Sequence, residues 1–182
     1  MKISDEILVQ QAQQGNERAF NQLVQRYQER IINICFRIIG DFQDAEEAAI
    51  DTFPACYRSL GTFEGRSSFA TWLYRIATRS AYKRKVRRPP ESIPIDGLEI
   101  PENRSTTRQD GHLREQEIKK TVEQAIETLP DYLKEAVIFY FLEGLSYREI
   151  AEILECPIGT VGSRINAARQ QLQRKLRHLI EE

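Results

Sequence analysis

Apolar residues along this chain recur at a period near 3.6, and the few glycines and prolines punctuate those periods instead of an alternation of two. The pattern predicts an all-α protein. Ser4, with Asp5 and Glu6 in the first turn, opens a first helix that Gly15 ends. Asn16 caps a longer helix whose stripe runs through Ala19, Phe20, Leu23, Val24, Tyr27, Ile31, Ile34, Cys35 and Ile38 until Gly40 stops it. A third helix over residues 44–60 buries Ala45, Ala48, Phe53, Cys56 and Tyr57, and Pro54 should kink it at a cost of ~3 kcal/mol if interior. A fourth starts near Ser67 or Ser68. Its inner face holds Phe69, Trp72, Leu73, Ile76, Ala77 and Ser80, leaving Thr71, Tyr74, Arg75, Thr78 and Tyr82 outside.

Between Pro89 and Gly111 the periodicity vanishes, and Pro89, Pro90, Pro94 and Pro101 fall among polar residues. This reads as a flexible linker joining two small helical domains, 1–88 and 112–182, with the linker at 89–111. Helices are predicted beyond it over residues 113–128, 131–142, 146–154 and 160–179. Ser146-Tyr-Arg-Glu149 is a capping box, and Glu155-Cys-Pro-Ile158 is a turn that its proline keeps from continuing as helix. Together these make a helix-turn-helix. With Val161 set inward, Ile165, Ala168, Leu172 and Leu176 share its side, while Gly162, Ser163, Asn166, Ala167 and Gln170 face out between Arg164 and Arg169. Small and amide side chains flanked by arginines suit a helix entering the major groove. A helical hairpin that simply packs would carry the same signals.

Charge changes the picture. The 182 residues hold 26 Lys+Arg and 27 Asp+Glu, a net charge of -1, so no global field draws the chain to nucleic acid or membrane. The signs are nevertheless segregated: residues 75–88 carry seven bases and no acid, whereas the linker carries five acids against two arginines. The bases lie on and beyond a helix rich in aromatics (Phe69, Trp72, Tyr74, Tyr82), with Phe63 in the loop before it, the combination that single-stranded nucleic acid requires. A solvated helix end is the alternative. The acidic run Asp44, Glu46, Glu47 and Asp51 has no histidine beside it, since His112 and His178 are distant. A charged docking face therefore suits it better than a metal site. Cys35, Cys56 and Cys156 are far apart and read as reduced, packed thiols. No apolar run reaches the roughly 18 residues of a membrane span, and the N-terminus lacks a secretory layout, so a cytoplasmic protein with no membrane insertion is expected. No phosphate-binding glycine loop, zinc-protease motif or nucleophile with a histidine partner is present, so neither catalysis nor a cofactor or metal is expected.

These segments, in this order, resemble a bacterial sigma factor of the extracytoplasmic-function (ECF) class over nearly the whole chain. DEILVQQAQQGNERAFNQLVQRYQERI is similar to the start of sigma region two, DAEEAAIDTF to its polymerase-docking helix, and GTFEGRSSFATWLYRIA to its strand-opening segment. LPDYLKEAVIFYFLEGLSYREIAEILECPIGTVGSRINAARQQL is similar to region four, and RRPPESIPID with the ending HLI resembles the sigma-E envelope-stress type. The resemblance implies a partner in core RNA polymerase, docked on Glu46, Glu47, Ile50 and Asp51. It implies capture of the single-stranded non-template strand at the −10 promoter element by Phe63, Arg66, Ser67, Trp72, Arg75 and Arg79. Duplex −35 reading would fall to Arg148, Thr160, Gly162, Ser163, Arg164, Asn166 and Ala167, and an anti-sigma factor would clamp between the domains. The rival reading is a stand-alone helix-turn-helix regulator, which has no need of the aromatic and basic first domain.

Overall fold

In a computed structural model the described residues are 3–87 and 111–177, with side chains of the second stretch described from 118 onward. Every regular element among them is helical. The first unit comprises α1 (Asp5–Gln13), α2 (Glu17–Ile39), α3 (Phe42–Ser59), a short 3-10 turn (Leu60–Thr62) and α4 (Phe69–Arg87). The second comprises α5 (Gly111–Glu127), α6 (Asp131–Val137) continuing as a π-helical segment (Ile138–Leu142), α7 (Tyr147–Ile153) and α8 (Ile158–Lys175). The linker expected at 89–111 lies almost wholly outside the described residues, as does the end of the last predicted helix.

Local chemistry sets the helix ends. The Asn16 side chain accepts from the Ala19 N–H at 3.3 Å, and Gly40 closes α2 in the left-handed region at φ 82°. The Ser68 hydroxyl accepts from the Thr71 N–H at 3.1 Å, which starts α4 one residue later. The capping box is complete: Ser146 accepts from the Glu149 N–H, and the Glu149 carboxylate takes the Ser146 N–H at 2.9 Å. Pro54 leaves α3 unbroken from Phe42 to Ser59. Its ring is exposed, and the carbonyl that loses a donor belongs to Ile50, 67% exposed and within reach of water.

The expected stripe of α2 is buried except for half-buried Val24, and it packs with Leu8, Ala45, Ala48, Cys56, Phe69, Leu73 and Ala77. Phe53 is half-buried and Tyr57 exposed, so the apolar face of α3 is narrower than its sequence suggests and relies on Ala45, Ala48, Ala49 and Thr52. Cys35 and Cys56 are unpaired and buried, which pushes both thiols up to about 12, and Cys156 is unpaired and half-buried.

The two units are also packed against one another. The core of α1–α4 continues without a break into Ala136, Phe139, Ile150, Ala151, Ile153, Val161 and Ile165 of the second unit. The helix-turn-helix lies against α4. For that reason Thr71, Tyr74 and Thr78, expected on the outer face of α4, are buried, while Trp72, Ile76 and Ser80 from its expected inner face are half-buried. Amphipathicity reports one apolar stripe, and this helix is covered on two sides. A second, smaller cluster of Ile126, Leu129, Leu133, Val137 and Ala168 ties α5, α6 and α8 together.

Candidate nucleic-acid and polymerase interface

The acidic docking candidates sit on α3, which Asp41 caps by accepting from the Asp44 N–H at 2.9 Å. Glu46, Ile50 and Asp51 are exposed, and an isoleucine as open as Ile50 among carboxylates is an apolar surface left uncovered by the described residues. Glu47 is different. It is half-buried and paired with Arg84, which also donates to Asp44 at 2.9 Å. Those carboxylates hold the Arg84 guanidinium above its ordinary pKa, the Asp44 hydrogen bond contributing most. Arg84 is therefore a tie between α3 and α4.

That tie splits the basic cluster. Lys85 donates to the Ile38 carbonyl at 3.0 Å and to Asp131 at 2.7 Å. Lys83 and Arg87, with Arg58 of α3, line a 190 Å³ groove that also touches Asp51, Ser80 and Arg84. Arg75 and Arg79, one turn apart on another side of α4, both reach the Glu155 carboxylate of the helix-turn-helix, Arg75 Nε at 2.8 Å.

Around the start of α4 the aromatics form a shelf. Phe63 lies 5.1 Å from Trp72 and 6.1 Å from Phe69 between ring centroids, and Phe63 and Trp72 are only half-buried. Gln13 fixes the loop below by donating to the Leu60 and Phe63 carbonyls at 3.0 and 2.9 Å. Phe69 and Leu73 are core, as expected. Arg66 is exposed and pairs with Glu64 at 2.6 Å, while Ser67 is half-buried. Phe63 thus meets Trp72, which shares α4 with the Glu155-bound pair Arg75 and Arg79, while Arg66 and Ser67 belong to the loop before that helix.

In the helix-turn-helix, Val161, Ile165 and Ala168 are buried and Ser163, Asn166 and Gln170 are exposed, as the helical wheel expects, whereas Leu172 and Leu176 from its inner side are only half-buried towards the end of α8. Thr160, Gly162, Arg164 and Ala167 are half-buried and Arg148 is exposed. Arg164 lies over the Tyr132 ring at 5.9 Å, and its charge bears on Glu135. Glu135 is 7% exposed with Oε1 unpartnered, and burial pushes its carboxyl up to about 7, Arg164 offsetting part of the shift.

Sequence reasoning missed the residues beneath this contact. Tyr74 stacks on Phe139 with centroids 6.3 Å apart, accepts from Arg30 at 3.2 Å and donates to Glu143 at 3.5 Å. Burial pushes the Tyr74 phenol up to about 12 and raises the Glu143 carboxyl as well. Thr71 donates to Glu149 at 3.3 Å. These partners stand 44 to 78 positions apart, and no local pattern signals such a pairing. No metal-ligating cluster and no helix long and apolar enough to cross a membrane occur among the described residues.

Known families match both units of the chain. The family model for sigma-70 region 2 matches residues 23–88, and that for sigma-70 region 4 matches residues 119–172. The chain is 39% identical to the RNA polymerase sigma-H factor of Pseudomonas aeruginosa, covering 98% of this chain and 96% of the relative. It is also 39% identical to the ECF RNA polymerase sigma-E factor of Escherichia coli strain K12, covering 98% and 97%. Among solved structures, CnrH in complex with the cytosolic domain of CnrY superposes with a TM-score of 0.70 at 25% identity, covering 96% and 97% of the two chains. The sigma factor RpoE of Bartonella quintana, in complex with the anti-sigma factor NepR, superposes at 0.66 with 27% identity, covering 87% and 96%.

Proposed function

The chain belongs to the sigma-70 family, in its extracytoplasmic-function class, and from that premise we propose how its surfaces divide the work of promoter recognition. It is an alternative sigma factor, a transcription initiation factor that directs core RNA polymerase to particular promoters. The rival reading as a stand-alone regulator is not favoured, because the likeness to sigma factors runs through both units. The domains are taken as 1–88 and 112–182 with the linker at 89–111.

Core polymerase meets the open face of α3 through Glu46, Ile50 and Asp51. Glu47 contributes by holding Arg84, and so the end of α4, against α3. The Phe63–Trp72 shelf receives bases of the displaced −10 strand, with Arg66, Ser67, Arg75 and Arg79 taking its phosphates and edges. The −35 duplex is read from the first turns of α8 by Thr160, Ser163 and Asn166, with Gly162 and Ala167 allowing close approach and Arg148 and Arg164 on phosphates. Known relatives in complex with inhibitory partners support an anti-sigma factor for this chain too.

The observation that carries this division is the exposure of Glu46, Ile50 and Asp51 on α3, apart from an aromatic and arginine edge on α4. Asp51→Arg should lower affinity for core polymerase, since it reverses an exposed charge that supports little packing. Arg79→Ala should leave holoenzyme assembly intact and reduce promoter opening, with a shallower salt dependence. Core affinity is read by fluorescence anisotropy and opening by permanganate reactivity of unpaired thymines. Loss of core binding in Arg79→Ala, with opening spared in the holoenzyme that does form, would reverse the two faces.

A further inference from the structure

We infer that Glu155 is an internal stand-in for a DNA phosphate, occupying Arg75 and Arg79 in the free chain and latching the helix-turn-helix over the strand-capturing edge of α4. The inference rests on the reading of those arginines given above and adds a regulation of the same site.

Three observations converge on it. Two arginines a helical turn apart, on one unit, meet a single carboxylate on the other, and Arg75 donates through both Nε and a terminal nitrogen. All three donors converge on one carboxylate oxygen, Oε1, and a phosphate diester oxygen is an anionic acceptor of the same kind, so strand and carboxylate are alternative occupants of one site. The Arg75 hydrogen bond correspondingly holds the Glu155 carboxyl below its usual range.

The backbone under Glu155 is the second observation. It is the only non-glycine residue with positive φ among the described residues, at 50°. An L-residue with a long side chain is unfavourable there, and asparagine or glycine would serve the turn better. Among the described residues the Glu155 carboxylate is bonded only to Arg75 and Arg79, so the gain from placing glutamate here is made across the interface and not within the turn.

The third is position. Beneath lies a packed contact: Tyr74 on Phe139, Thr71 on Glu149, and Glu143 bridging Arg30 and Tyr74. Glu155 sits at its rim with a side chain 46% exposed, where solvent and a competing polyanion both reach. An exposed pair is weak and screened by salt. A latch of that strength biases a closed arrangement that polymerase or DNA can still displace.

The test uses the full chain without polymerase. Glu155→Gln removes the charge, and Glu155→Gly removes it while suiting the left-handed turn, so the helix-turn-helix keeps its fold. Glu152→Gln, an exposed position on α7, makes the same change in net charge as a control. Small-angle scattering across a sodium chloride titration reads closure, and anisotropy of a fluorescein-labelled oligo(dT) strand reads access to α4. Both Glu155 variants should expand at lower salt than wild type and bind the strand about fivefold tighter. Scattering curves that superpose on wild type at every salt concentration would overturn the latch, and so would an equal affinity gain from Glu152→Gln. Expansion with unchanged strand affinity would keep the latch and remove Arg75 and Arg79 from the strand-binding reading instead.

Discussion

Glu135 shows what a single buried carboxyl does to this fold. It lies in α6 with one oxygen unpartnered, and the charge of Arg164 only partly offsets its desolvation. Its pKa is raised from 4.5 to about 7 in the folded chain, so folding takes up a proton between those values. The contribution to stability is full below about pH 4.5 and is lost as pH rises through 7, because the buried group must then ionise. Glu135→Gln should therefore match wild type near pH 5 and exceed it at pH 8 by roughly 1–3 kcal/mol. Denaturant unfolding at the two pH values measures it, and parallel pH profiles for the two proteins would show that Glu135 stays solvated. No sequence reading singled out Glu135, since a lone glutamate in a predicted helix looks like surface. Asn166, by contrast, was legible, because the periodicity that buries Val161, Ile165 and Ala168 leaves it outward. Local spacing thus determines which way a side chain points on its own helix, and burial by a distant helix escapes it.

At the scale of elements, the signals that proved readable were those satisfied within a few residues. The capping box at Ser146, the stop at Gly40 and the start beside Ser68 each close a hydrogen bond over three or four positions. The aromatic shelf was half legible, since Phe63, Phe69 and Trp72 are near in sequence but their packing depends on the Gln13 anchor. The second covered side of α4 was not legible at all: Thr71 and Tyr74 look polar, and they are buried where Glu149, Glu143 and Phe139 arrive from the other unit. The recognition helix invites a test of its own. Gly162 lies inside α8, and a Cβ there would sit 3.6 Å from the Tyr147 ring, an ordinary contact. A helical glycine costs backbone entropy, so Gly162→Ala should stabilise the chain by about 0.5–1 kcal/mol. Urea unfolding at constant pH reads the change. A loss of stability would mean that α8 needs glycine there for the approach of α7.

For the whole molecule, the consequence of closed packing is thermodynamic. If only the open chain docks on core polymerase and DNA, the apparent affinity is the intrinsic one multiplied by the open fraction. Any tie between the units then lowers affinity without touching the docking face. Lys85 with Asp131, at 2.7 Å, is such a tie, contributed by α4 and by the first turn of α6. It lies more than a helical turn beyond Arg79 and shares no partner with Glu155. Asp131→Asn keeps a helix-start side chain while removing the charge, and an exposed pair is worth about 0.2–1 kcal/mol. The variant should therefore bind core polymerase up to about fivefold tighter, and combined with Glu155→Gln the two gains should multiply, as independent perturbations of one equilibrium do. Anisotropy titrations of labelled full-length protein with core enzyme give the four affinities of the cycle. A double variant no tighter than either single one would mean that the ties do not act on a shared closed-to-open equilibrium, and the interface would then open in separate pieces. Unchanged affinity in all three would mean that core polymerase accepts the chain closed, so that opening follows docking and is driven by promoter DNA.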